Sequence, residues 1–368
     1  SITEAGAQAI RVNAISQAAP VADDIVLEDL IIGMPPVWQP QTLPTGTSAG
    51  IHLNATNRAV LRDSFIGWTN GRTLNVETST NATITGSEFR DTSEDVIDIY
   101  ESSSGTLFER NRVSGGLNWA IDITVSSNTT LRNNTIDSAG DGIGQTGGVR
   151  LYGPGSTIDR NIFSNNAGPA IAIAGTMTSP ARPVGEAVIT GNHFVNNDGL
   201  SIDLQPASND NLLSGDGITP NDGGGLDATH GNRELDFPVI TGASLSGATT
   251  TVTGTACSGC TVEIYRAVGG TGDDDPPGSG TNYHGEGVAY LGSGVATGGA
   301  FSIDVTGLAD GEAVSATATD TGPGVTSEFA LNETVVGLVA EVSGTVFEDI
   351  AGDVLAGAQT IGDISNPG

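Results

Sequence analysis

The feature that most constrains this chain is a repeat with a period of about 23 residues. An apolar residue, a small polar residue three positions on, and a second apolar residue two further on recur as Val26/Asp29/Ile31, Val60/Asp63/Phe65, Ile84/Ser87/Phe89, Phe108/Asn111/Val113, Leu131/Asn134/Ile136, Ile158/Asn161/Phe163 and Ile189/Asn192/Phe194. From Val60 the first anchors are spaced at 24, 24, 23, 27 and 31 residues. An apolar–any–apolar series interleaves with it at Ile10–Val12, Ile51–Leu53, Leu74–Val76, Ile97–Ile99, Ile121–Ile123, Val149–Leu151, Ile171–Ile173 and Ile202–Leu204. Short alternating segments at this period, separated by Asn, Gly and Ser, describe a chain that stacks coil on coil as a parallel β-helix of seven to eight turns. Sustained 3.6-residue periodicity is missing, and 53 Gly argue against long helices. Alternation along each strand points Ile97 and Ile99 inward and Asp98 to solvent. The small polar column from Asp29 to Asn192 is expected at a sharp bend, because Asn and Asp tolerate left-handed backbone and can bond one another up the stack.

These segments, "ATITGSEFRDTSEDVIDIY" and "TIDRNIFSNNAGPAIAIAG" among them, resemble the coils of right-handed parallel β-helix proteins of the pectin-lyase-like superfamily over about residues 9–205. The resemblance implies a fold more than a chemistry: such proteins include enzymes acting on acidic polysaccharides, and also spikes, adhesins and filaments. After Leu204 the repeat stops. An acidic Gly/Asp-rich stretch reads as a linker over 206–236, followed by alternating strands over 237–334 that predict an antiparallel β-sandwich. "ELDFPVITGA", "GTACSGCTVEIY" and "ATATDTGPGVTSEFAL" are similar to Ig-like modules that follow β-helices in bacterial surface proteins. "VSGTVFEDIAGDVLAGAQ" looks like the start of a further B-type adhesin repeat, so residues 335–368 read as a tail strand or a truncated domain. The fold class expected is all-β, with β-helix 1–205 followed by an Ig-like sandwich.

The formal charge of −30, with thirteen Arg and no Lys, excludes nucleic acid and anionic lipid as partners. The longest apolar runs fall far short of a membrane span. The N-terminus has no leader pattern, so the chain reads as cytosolic or already processed. Ile10–Val12 already occupies a coil position, and an uncapped coil edge invites pairing with a second copy or with further domains of the same protein.

Candidate chemistry lies on the outward column of the Ile–x–Ile strands: Arg11, His52, Asn75, Asp98, Asp122, Arg150, Ala172 and Asp203. Asp98 and Asp122 on adjacent coils would stand about 5 Å apart, which suits an acid–base pair or a Ca²⁺ site, with Arg150 placed to meet an anionic sugar. The superfamily's polygalacturonase-like signatures are missing, and a Lys-dependent lyase is excluded by composition. Trp38, Trp68 and Trp119 are expected in the turn entering these strands, as a glycan-binding wall beside the column or as packing. Asp216, Asp222 and Asp227 in the linker, Asp273–Asp275 in the sandwich, and Glu348, Asp349 and Asp353 in the tail are candidate Ca²⁺ ligands, Ca²⁺ being the cofactor considered. Cys257 and Cys260 lack the further ligands a zinc site needs, and are expected to form a local disulfide suited to an oxidising exterior. The leading expectation is an extracellular structural or adhesive protein, assembling end to end or with further domains. Alternatives are a polysaccharide-acting enzyme using Asp98 and Asp122, and a glycan-binding module without turnover.

Overall fold

The computed structural model describes residues 8–13, 22–33, 49–140, 146–178, 181–207, 215–223, 225–270, 272–275 and 278–338. The chain divides into Ser1–Gly337 and Leu338–Gly368. Only Leu338 of the second unit is described, so Glu348, Asp349 and Asp353 lie outside the described residues, as does Trp38.

Three parallel sheets of eight, seven and seven strands wrap a common core. The eight-stranded sheet is the Ile–x–Ile series, with Ile51, Leu74, Ile97, Ile121, Val149, Ile171 and Ile202 paired in one unbroken register. All of these point inward and are buried, as the pleat requires. Phe163 stacks on Phe194 in the same way, with 5.5 Å between ring centroids, and Phe89 meets Phe108 of a neighbouring sheet at 5.7 Å, tilted.

The first two coils correct the register expected from sequence. Leu27 pairs with Leu61, which pairs with Ile84, so Leu27 and Leu61 take the inward places assigned to Val26 and Val60. Val26 is 53% exposed, and Ile32 rather than the exposed Ile31 is buried. Val26–Leu27, Val60–Leu61 and Ile31–Ile32 are apolar pairs, so alternation alone cannot tell which member faces the core, and a slip by one residue exchanges the faces.

The polar ladder is corrected likewise. It runs through Ser64, not Asp63: Ser64 N donates to Ser87 Oγ (3.1 Å), Ser87 N to Asn111 Oδ1 (2.9 Å), Asn111 N to Asn134 Oδ1 (2.9 Å), Asn134 N to Asn161 Oδ1 (2.9 Å) and Asn161 N to Asn192 Oδ1 (2.8 Å). The left-handed backbone belongs to the residue before each rung, with φ of 50° at Asp63, 55° at Arg110 and Asn133, and 52° at Arg160. The bend leaves a rung's own N–H without a partner in the sheets, and the next rung's side chain supplies one.

Residues 239–337 form the antiparallel sandwich. One sheet orders the strands Ala300–Thr306, Thr249–Thr255, Val239–Ser246 and Val336–Gly337. The other orders Gly287–Val295, Thr261–Ala267, Ala313–Asp320 and Val325–Thr326, with Glu333–Thr334 also on Ala313–Asp320. Val252, Val262, Ile264, Phe301, Ile303 and Val314 fill the space between them. Cys257 and Cys260 are bonded at the turn between two of these strands, with Cα atoms 5.4 Å apart.

The sandwich closes the C-terminal end of the helix. Phe329 and Tyr265 belong to the β-helix core, and Phe329 meets Phe194 edge-on at 5.7 Å. Polar side chains receive the exposed N–H groups of the last coil: Ile189 N donates to Thr326 Oγ1 (2.9 Å), Gly191 N to Glu263 Oε2 (3.0 Å), Asn197 N to Glu286 Oε1 (2.6 Å) and Leu204 N to Glu328 Oε1 (2.9 Å). The stretch read as a linker takes part, Asn232 Oδ1 accepting from Ala187 N at 2.7 Å. The N–H groups of the last coil are thus taken up by the sandwich and the stretch before it.

Candidate functional site

The parallel register brings Asp98 opposite Asp122, and Asp122 opposite Arg150, on three successive strands. Two arginines organise the column. Arg150 grips Asp122 with both arms of its guanidinium, Nε to Oδ1 at 3.0 Å and Nη2 to Oδ2 at 2.6 Å. Arg72, one coil before Asp95, sends Nη1 to Glu94 Oε2 (2.9 Å), Nη2 to Asp95 Oδ2 (3.5 Å) and Nε to Asp98 Oδ2 (3.0 Å). Asp95 also accepts from Trp119 N at 3.1 Å. Below, His52 and Glu77 meet at 2.6 Å, and Tyr100 donates to Glu77 at 3.0 Å.

The column was expected to be a solvated strip, and it is not. Asp98 is 8% exposed, Asp122 6% and Arg150 4%. A charged row can stay this dry only because each carboxylate has a guanidinium within reach. Burial, reinforced by the negative charge of Asp122, pushes the Asp98 carboxyl up to about 8, against the pull of Arg72. Asp95 rises for the same two reasons, to about 6. Burial also lowers the pKa of His52 in spite of Glu77. The chemical content is a carboxylic acid that holds its proton at neutral pH, beside a carboxylate fixed by an arginine. Such a pair can deliver a proton to one atom and oppose positive charge at a neighbouring one.

The two described tryptophans, Trp68 and Trp119, do not form a wall. Trp68 lies within the strand Phe65–Thr69, 5.7 Å from Phe65 and under the Arg90 guanidinium at 4.9 Å. Trp119 opens the strand Trp119–Thr124 and is fully buried, with Arg150 5.5 Å over its ring. Packing accounts for Trp119, whose burial leaves no ring face for a sugar.

The linker acids do not converge. Asp216 hydrogen-bonds Asp203, the last member of the outward column. Asp222 N donates to Asp236 Oδ1 at 3.3 Å. Asp227 lies by His230 Nδ1 at 3.1 Å. Among the described residues, the one group of three ligating side chains within reach of a common ion is Asp227, His230 and Glu234, at the surface. Arg72, Glu94 and Asp95 are the site residues that sequence reasoning missed. The coil period contained the signal, since Arg72 and Asp95 are 23 residues apart.

The structure of the open reading frame 18 protein of Geobacillus virus E2 is similar at 12% identity, with a TM-score of 0.38, over 91% of this chain and 61% of that one. Full-length tailspike protein 2 of an Escherichia coli O157:H7 bacteriophage is similar at 11% identity, with a TM-score of 0.26, over 89% of this chain and 60% of that one. The enzymatically active domain of the same tailspike gives 10% identity and a TM-score of 0.26, over 88% and 67%. The chain thus spans about three fifths of the first two proteins. Among the described residues, no helix is long and apolar enough to cross a membrane. The sequence model of the family described as "Right handed beta helix region" matches residues 45–238, and by that match, with three parallel sheets coiled around one core, the chain belongs to this family.

Proposed function

We propose that this protein is an extracellular structural and adhesive element, a stiff β-helical rod that presents its flanks to glycans, to further copies or to further domains of the same polypeptide. The observation that carries this reading is the closure of the last coil. Glu263, Glu286, Glu328, Thr326 and Asn232 take up its backbone N–H groups while Phe329 and Tyr265 enter its core, which makes the helix and sandwich one stiff body. A surface rod has to resist bending, and a seam made of both core and hydrogen bonds does so. The bonded Cys257–Cys260 pair accords with an oxidising exterior, and the strong negative charge with a surface that stays hydrated.

One observation favours a second reading, a polysaccharide-acting enzyme: the buried Asp98, its carboxyl pushed up to about 8, stands opposite Asp122 in the grip of Arg150. In that case Asp98 would donate the proton to a glycosidic oxygen. Incubation with acidic and neutral glycans, with and without Ca²⁺, separates the two. The structural reading expects binding at most, with no new reducing ends. Release of oligosaccharides that stops in Asp122→Asn would replace it with the enzymatic one. Electron micrographs of the native material test assembly: regular fibres or arrays are expected, and uniformly dispersed monomers would remove the assembling part of the proposal.

A further inference from the structure

At the seam between the last coil and the sandwich, Asp273 is fully buried, and apart from the Gly270 N–H no group hydrogen-bonds its carboxylate. Glu286, itself buried, is its neighbour. A methyl group built on Gly270 would come within 2.6 Å of Asp273 Oδ2 and 3.4 Å of Glu286 Cδ, so the two carboxylates sit side by side beneath that glycine. Glu286 is tied to the β-helix. Its Oε1 accepts from Asn197 N (2.6 Å) and Asn197 Nδ2 (3.1 Å), and its Oε2 from Asn196 N (2.6 Å). It thereby stands as the next rung of the ladder in which Asn166 Nδ2 donates to Asn197 Oδ1 at 2.8 Å.

Among the described residues, no positive group acts on Asp273. The charges acting on Asp273 are those of Glu286 and Asp274, both negative, set against one backbone hydrogen bond from Gly270. Alongside Gly270 lies a cavity of about 580 Å³ whose lining includes Asn196, Asn197, Asp198, Asp274 and Tyr283. Two adjacent buried carboxylates destabilise a fold unless their charge is met. A proton meets the need of only one Asp273 oxygen, whereas a cation meets both. The side chains that meet here are carboxylates, which are hard oxygen ligands, and the adjoining cavity has room for water, which together suit Ca²⁺.

We propose that Asp273 and Glu286 form a Ca²⁺ site that fastens the sandwich to the last coil. Glu286 bridges the ion and the backbone of Asn196 and Asn197, so that loading the site tightens the seam and emptying it sets two carboxylates against each other there. The site is independent of the Asp98 column, and its failure would leave the rod reading in place.

The test uses the full chain, stripped with chelator and titrated with CaCl₂ by calorimetry, followed by thermal melting and amide exchange. The wild type is expected to bind Ca²⁺, to melt higher when loaded, and to slow exchange at Asn196 and Asn197. Asp273→Asn is expected to lose the Ca²⁺-dependent rise in midpoint, Glu286→Gln to lose it too, and Asp227→Asn to retain it. A wild-type midpoint indifferent to Ca²⁺ would overturn the proposal, as would an Asp273→Asn protein that keeps the full response, or a response that disappears with Asp227→Asn. Should neither seam variant fold, exchange in the wild type decides: unchanged rates at Asn196 and Asn197 on adding Ca²⁺ sink the site.

Discussion

At the scale of the residue, the same polar side chain matters or not according to whether it is a rung. Asn134 Oδ1 accepts from Asn111 N, while its Nδ2 donates to Phe108 O and Asn161 Oδ1, both at 2.9 Å. Replacing it by Ala leaves a buried donor and a buried acceptor empty, at about 1–3 kcal/mol for each group. Asn134→Ala is therefore expected to cost at least about 2 kcal/mol in urea denaturation. Arg132→Ala, which breaks an ion pair between an exposed arginine and Glu109, should cost much less than Asn134→Ala. Asp98 gives a prediction with a sign. Its carboxyl is held protonated up to about 8, while in the unfolded chain it ionises in the ordinary range near 4. Between those values the unfolded state binds fewer protons, so the contribution of Asp98 to stability is present at low pH and declines as pH rises through that window. Urea midpoints at about pH 5 and about pH 8 should fall less steeply in Asp98→Asn than in the wild type. The sequence placed Asp98, Asp122 and Arg150 in one column because strand period and coil period together fix a register. The 23-residue spacing put Arg72 one coil from Asp95, but that its side chain also reaches Asp98 is not periodic and was not legible.

At the scale of the element, each strand is too short to be stable alone and exists because a coil lies against it. The coil that ends such a stack faces solvent with unpaired N–H groups, and here the sandwich meets them. Phe329 is the apolar part of that closure, lying edge-on to Phe194 and 5.1 Å from Tyr265. Phe329→Ala is expected to destabilise by about 3–5 kcal/mol and to speed amide exchange selectively in residues 187–204. Equal loss of protection throughout the helix would mean instead that the coils open as one unit. Where alternation along a strand was unambiguous, as in Ile97–Asp98–Ile99, the inward face was legible in the sequence. Where two apolar residues adjoin, as in Val26–Leu27, the choice fell to pairing with the neighbouring coil, which only the assembled sheet can make.

At the scale of the whole molecule, the charge of −30 is distributed in two ways. On the flanks it is offset coil by coil through arginines, as in Arg58 with Asp24 and Arg132 with Glu109. At the seam it is buried without arginines, in Asp203, Asp273, Glu286 and Glu328, and of these Glu328 is pushed up to about 8 by burial. The repeat by itself determined that the chain coils, how many coils there are and which strands pair, because a periodic sequence fixes local conformation and nearest-neighbour contacts together, and strand alternation after the repeat predicted the sandwich. The tertiary structure alone decided that the acidic stretch after Leu204 folds back onto the last coil and that the carboxylate column lies dry under paired arginines. It alone also decided that the sandwich plugs the helix with Phe329 and Glu286. Those contacts join residues some 90 to 140 positions apart outside any repeat, and burial is a property of what covers a residue, which its own segment of sequence does not encode.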